Sequence, residues 1–207
     1  MHKNFNQHFQ TRLWEVIADI ERQSHVEVVV VIRSRAADYQ DIPLYWGFAG
    51  AWLIHTYLMF IPTLFDDLTI YVGPLLAFML FWLLGKIPSV QRLCVSKKRL
   101  QKNVEIMARA LFQKGGMHHT QAKIGILIYC SLLEKTTFVL PDRGAEHAVP
   151  AEEWQLLRRH LQAIFATANP DAALLEQLAA TQALFNRYLP PVDNDLNELP
   201  DNLDITL

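Results

Sequence analysis

Residues 43–88 hold two apolar runs, 44–61 and 68–85, separated only by Pro62-Thr63-Leu64-Phe65-Asp66-Asp67. Each run is 18 residues long, near the lower limit for a helix that crosses a bilayer. Lipid offers no partner for backbone N–H and C=O groups, so a spanning segment must be helical. The spacing predicts a two-helix transmembrane hairpin. A hairpin buried within a soluble protein is the competing reading. Trp46, Trp52, Trp82, Tyr45 and Tyr71 near the run ends favour the bilayer, because amphipathic rings settle at headgroup level.

The charges around the hairpin set an orientation. Its connection carries Asp66 and Asp67 and no basic residue. Its outer flanks carry Arg33 and Arg35 on one side, and Lys86, Arg92, Lys97, Lys98, Arg99 and Lys102 on the other. Positive flanks stay in the cytoplasm. The expected location is the bacterial cytoplasmic (inner) membrane, with both termini and the polar domain cytoplasmic. The basic cluster is either a solvated helix face or a surface that touches anionic headgroups.

The polar remainder amounts to about 160 residues, enough for one modest core. A formal net charge of -2 gives no basic field to recruit nucleic acid. The two cysteines, Cys94 and Cys130, stand in no ligand spacing, as expected of reduced cytoplasmic thiols. Residues 1–10 are polar and lack the apolar core of a signal peptide. Insertion is therefore expected to rely on the hairpin.

Leu13, Val16, Ile17 and Ile20 fall at helical spacing within residues 11–24, with Thr11 as the expected N-cap. Residues 26–32, Val-Glu-Val-Val-Val-Val-Ile, read as a strand buried on both faces. After the hairpin, residues 90–114 read as one long helix stopped by Gly115-Gly116. Residues 124–133 and 136–140 read as strands joined by a polar Glu134-Lys135 turn, an antiparallel pair. Residues 141–148 read as a loop. Pro150 then opens a helix with Trp154, Leu157, Leu161, Ile164 and Phe165 inward, and Asn169-Pro170-Asp171 opens the last one. From residue 190 the tail carries five acidic and no basic residues and is expected to be disordered.

The fold class expected is α/β: a small layered α/β/α domain with a mixed sheet, interrupted by the hairpin. The divisions are residues 1–41 for the first helix and strand, 42–88 for the hairpin, 89–189 for the rest of the domain and 190–207 for the tail.

Chemistry is sparse. Residues 116–120, Gly-Met-His-His-Thr, place His118, His119 and Thr120 before a buried strand. Either histidine can join Asp142 or His147 around a divalent metal. Alternatively the segment is a surface loop in which Thr120 bonds the backbone. Asp142 and Arg143 follow the third strand, where the carboxylate either binds a ligand or pairs with the arginine. His55 sits midway along the first apolar run, and an ionisable group there is a functional candidate. The chain has no GxSxG, P-loop, HExxH or dinucleotide fingerprint.

Four features in order carry a family resemblance: the strand 27–32 after an amphipathic helix, Val104-Glu105-Ile106-Met107-Ala108-Arg109-Ala110-Leu111-Phe112, the pattern Thr120-x-x-Lys123-x-Gly125-Ile126-Leu127-Ile128-Tyr129, and Pro141-Asp142-Arg143-Gly144 followed by Trp154. This order resembles the TPM domain family of a thylakoid lumen protein and many bacterial membrane proteins. The likeness covers residues 11–32 and 104–165. It departs from typical members, which carry an anchor at one end and face away from the cytoplasm, whereas here the hairpin sits inside the domain and the charges place it in the cytoplasm. The glycine-rich acidic segment that follows the strand in many relatives is also not recognisable. The resemblance implies the layered fold and an aspartate at position 142. Members have been linked to phosphatase activity, metal binding and assembly or repair of membrane complexes.

The resulting expectation is a non-catalytic scaffold or assembly factor, embedded in the lipid bilayer and binding other membrane proteins or itself. The alternative is a metal-dependent, phosphatase-like hydrolase using Asp142 with His118 or His119. A third reading is an oligomeric channel built on the hairpin and His55.

Overall fold

In the computed structural model, which describes residues 7–117, 123–191 and 204–206, the chain forms two compact units. One comprises Met1–Ala36 with Gln101–Leu207, and the other is Ala37–Leu100.

The first unit is built on a strand rich in β-branched residues, β1 (Glu27–Arg33). Such side chains suit a pleated, buried surface. β1 runs parallel to β2 (Gly125–Ser131), from Glu27 opposite Gly125 to Arg33 opposite Ser131. β2 is antiparallel to β3 (Thr136–Pro141). The turn between them places Lys135 at φ 49°, in the small left-handed region. A short strand, β4 (Asp204–Thr206), lies parallel to β1 beside Val31–Arg33, giving the order β3-β2-β1-β4. The tail is thus not wholly irregular, because this segment pairs with the edge of β1; residues 192–203 lie outside the described residues.

Because side chains alternate across a strand, each strand feeds two cores. Val28, Val30 and Ile32 of β1 and Ile126, Ile128 and Cys130 of β2 face three helices. These are α1 (Gln7–Gln23), α7 (Ala151–Ala163) and α8 (Pro170–Tyr188). Leu13, Ile17 and Ile20 from α1, Trp154 and Leu161 from α7, and Leu174, Leu178 and Phe185 from α8 fill this layer. Each such side chain contributes about 1.5–3 kcal/mol by leaving water. Val31, Leu127 and Tyr129 face the other way, onto Val104, Ala108 and Phe112 of α5 (Lys97–Lys114). The sheet is mixed and layered between helices, as its patterning predicts.

Three boundaries differ from the sequence reading. α1 starts at Gln7, and Thr11 does not cap it: its hydroxyl donates back to the Gln7 carbonyl at 3.1 Å. The single helix expected over 90–114 is two, α4 (Pro88–Cys94) and α5. Val95 is extended and buried, and Ser96 opens α5, accepting the Arg99 N–H on its hydroxyl and the Leu100 N–H on its carbonyl. This is N-cap behaviour. Residues 143–148, expected as loop, form a helical turn, α6 (Arg143–Ala148).

The second unit is dominated by α2 (Asp41–Phe60) and α3 (Asp67–Gly85), which pack along each other. Glycines set their approach. A Cβ at Gly47 would stand 2.8 Å from the Phe78 ring, and one at Gly85 would stand 2.6 Å from the Cα of Pro43. A Cβ at Gly50 would collide with the ring of Phe81. The Phe78 and Phe81 rings also meet Phe48 edge-on at 5.2 Å and stack with Trp46 at 6.3 Å. At the base, Arg99 donates two hydrogen bonds to the Asp41 carboxylate, at 2.6 and 3.0 Å. Trp46 Nε1–H points to Cys94 Sγ at 3.2 Å.

Of the two spanning helices expected, one meets the length and composition needed. Among the described residues one helix, α3, is long and apolar enough to cross a membrane, with mean hydropathy 2.0 over its 18-residue window. α2 is long enough but is diluted by Tyr45, Trp46, Trp52, His55, Thr56 and Tyr57.

The glycine contacts predict a graded packing response. Gly50→Leu should destabilise the hairpin by about 1–3 kcal/mol through overpacking. Gly73→Ala meets only side-chain methyls, Leu58 Cδ1 at 3.3 Å and Ile54 Cγ2 at 3.7 Å, and should cost much less. Melting of the two variants in one detergent checks the order.

Candidate functional site

Two polar clusters interrupt the apolar sheet unit. The first is at Asp142. β3 ends at Pro141, and the Asp142 N–H still donates to the Gly125 carbonyl, at 2.8 Å. The next residue turns into α6. Asp142 is extended, and its Oδ1 accepts the Arg143 backbone N–H at 2.7 Å. It is therefore the N-cap of α6. Lys123, at φ 54°, presents its carbonyl to the N–H groups of Gly144 and Ala145, at 2.8 and 3.3 Å. The second oxygen of Asp142 is buried and has no hydrogen-bond partner among the described residues. A buried carboxylate oxygen of this kind is costly unless something meets it.

The other sequence candidates gather only partly here. Arg143 is a direct neighbour, but its side chain is exposed and its backbone N–H makes the contact. His147 is exposed in the last turn of α6. His118, His119 and Thr120 lie outside the described residues. Among the described residues no three His, Cys, Asp or Glu side chains form a group able to hold a metal. His55 is exposed on α2, and the neighbouring Thr56 hydroxyl donates to the Trp52 carbonyl at 2.8 Å.

The second cluster escaped the sequence reading. Glu134, taken there as half of a polar turn, is 3% exposed. Its Oε1 accepts the Ala36 backbone N–H at 3.0 Å, and its Oε2 accepts the Ser131 hydroxyl. The carboxylate thus clasps the end of β2 to the strand that leaves β1. Two main-chain bonds extend the same junction, from Leu132 N–H to the Arg33 carbonyl and from Leu133 N–H to the Ser34 carbonyl, at 3.0 and 2.9 Å. Arg33, beside Ser131 in register, donates to Met107 Sδ at 3.8 Å. Tyr129 lies two residues before Ser131, hence on the same face. Burial pushes its hydroxyl up to about 12, against the opposing pull of Ser131. Burial alone pushes the Cys130 thiol on the opposite face up to about 12. The signal available in the sequence was the polar pair Tyr129 and Ser131 at strand period, followed by an acid.

Chemically, this cluster holds rather than reacts. Ser131 touches a carboxylate, but no histidine stands between them, and a serine needs such a base to act as a nucleophile. Tyr129 and Ser131 are fully buried, so no substrate reaches them.

Comparison with known proteins gives a fold likeness. The NMR structure of the BA42 protein from the psychrophilic bacterium Bizionia argentinensis is similar, with a TM-score of 0.58 over 97% of this chain and 94% of that one, at 16% identity. No family model and no curated protein matches the chain.

Two outcomes follow from the clasp. Glu134→Ala leaves the Ala36 N–H and the Ser131 hydroxyl without their acceptor and should destabilise by about 1–3 kcal/mol. Glu134→Gln, which keeps an acceptor, should cost less; urea unfolding measures both. For Tyr129 and Cys130 the raised folded values favour the neutral forms. Their contribution is whole below pH 9 and declines as pH rises toward 12. Tyr129→Phe and Cys130→Ala should each flatten the fall of the urea midpoint over that range.

Proposed function

We propose that this chain is a membrane-anchored, TPM-like scaffold. The α2–α3 hairpin sits in the bacterial cytoplasmic membrane, and the α/β unit with both termini faces the cytoplasm. There it binds membrane proteins, or a second copy of itself, during assembly of complexes. The observation that carries the reading is the outside of the hairpin. Phe48, Trp52 and Phe60 on α2 and Leu75, Met79 and Leu83 on α3 are each more than half exposed. Soluble monomers rarely leave a contiguous apolar surface of this extent in water. Helices of 20 and 19 residues are about 30 Å long at 1.5 Å per residue, the thickness of the hydrocarbon core. The scaffold part rests on the buried, nonreactive character of the Glu134 cluster.

One observation favours a second reading. The unpartnered Asp142 oxygen is the kind of group that a divalent metal or a substrate hydroxyl would meet, which supports a phosphatase-like hydrolase at that end of the sheet. Hydrolysis of a generic phosphate ester with added Mg²⁺ or Mn²⁺ that disappears in Asp142→Asn would establish it. Equal hydrolysis by the variant would remove it.

Topology is the direct test of the anchor. Cys94 is exposed and Cys130 buried, so the background is Cys94→Ser. A cysteine replacing Thr63 should react with a membrane-impermeant thiol reagent in intact cells, and one replacing the exposed Ala183 should not. The reverse pattern overturns the orientation, and reaction at both positions overturns the hairpin.

A further inference from the structure

The base of the hairpin is organised differently from its tip. At the tip, Asp66 accepts from the Thr69 hydroxyl and Asp67 opens α3, with no basic residue nearby in sequence. At the base, Lys86, Arg92, Lys97 and Lys98 are all exposed. None of the four has an ion pair among the described residues. The neighbouring Arg99 is already engaged by Asp41. Lys86 lies over the Trp82 ring, 3.6 Å from its centroid, an aromatic–cation pairing suited to the headgroup region.

The short helix between these cations has the complementary apolar element. In α4, Gln91 is buried, whereas Leu93 is 87% exposed, directly between Arg92 and Cys94. Ile87, just before α4, is 44% exposed. A leucine held out beside free cations is what an interfacial segment presents: the apolar side chain enters the acyl boundary, and the cations remain with the phosphates. Long Lys and Arg stems reach that level while their charged ends stay wet.

We propose that residues 86–98 form a binding surface for anionic phospholipid headgroups, read by Lys86, Arg92, Lys97 and Lys98 with Leu93 inserted beside them. This rests on the membrane reading above and adds lipid selectivity to it. The shared chemistry is phosphate recognition by charge-assisted hydrogen bonds. The source is lipid rather than free phosphate because the cations are spread over an exposed surface with an apolar side chain among them. A soluble anion would instead need a converging polar cage.

The test uses the full chain in vesicles of equal parts phosphatidylglycerol and phosphatidylcholine, extracted in mild detergent, with retained lipid counted by native mass spectrometry. The natural chain should retain phosphatidylglycerol in preference by about tenfold, given the energy typical of several basic residues at an anionic surface. Arg92→Gln/Lys97→Gln/Lys98→Gln should bring the ratio near one; it keeps Lys86, Arg99 and Lys102 to hold the orientation, and its melting reports that it is folded. Leu93→Ser should lower the preference while keeping every charge. Equal retention of the two lipids by the natural chain, or an undiminished preference in the triple variant, overturns the proposal. Displacement of the lipid by millimolar inorganic phosphate reassigns the surface to a free anion and also overturns it. A chain recovered in the aqueous phase without detergent overturns the anchor and this surface together. A chain that stays with the vesicles but shows no preference overturns the surface alone.

Discussion

The parallel pairing of β1 with β2 is the constraint on which the rest of the chain depends. The two strands are fully registered from Glu27 with Gly125 to Arg33 with Ser131, yet everything from Ser34 to Ile124 lies between them in sequence. Closing so long a connection costs entropy, although the cost grows only slowly with its length. Two apolar cores repay it, one on each face of the same strands. A connection that crosses a membrane must do so an even number of times, or the strands would end on opposite sides. A hairpin is the smallest insertion that satisfies this.

Glu134 matters because of where the clasp sits. β1 ends and the chain departs at Ser34–Ala36, the point at which motion of an inserted segment would first peel the strand away. A buried carboxylate accepting from the Ala36 N–H and the Ser131 hydroxyl resists that peeling. Leaving the buried Ala36 N–H and Ser131 hydroxyl without their acceptor costs more than the bonds themselves contribute.

Much of the sheet unit was legible in the sequence. The valine run, the second apolar run and the Glu134-Lys135 turn carried the strands and their antiparallel pair, because β-branched content and turn chemistry are local signals. The helices behind them were legible from their apolar stripes. What escaped depended on distant partners. Glu134 reads as a surface acid until the Ala36 N–H is brought to it by the β1–β2 register. Asp142 was picked for its chemistry, yet its visible work is local: it caps α6, a helix too short to show a period. The break at Val95-Ser96 was hidden because no glycine or proline marks it, while a single serine cap resets the helix. The two apolar runs looked alike in length but differ in dilution: α2 carries His55, Thr56 and several Tyr and Trp residues within the same span.

The insertion has a consequence for how the chain is made. β1 leaves the ribosome well before its partner exists. At about 5–20 residues per second, the ninety or so residues between β1 and β2 take roughly 5–20 seconds to synthesise. During that interval a strand of four consecutive valines waits with both edges unpaired, and the first apolar run emerges directly behind it. The sheet therefore closes late, only when β2 returns to a strand that has had no partner since it was made. If the hairpin inserts in a bilayer as proposed, that late closure follows insertion, and β1 waits for β2 beside the lipid.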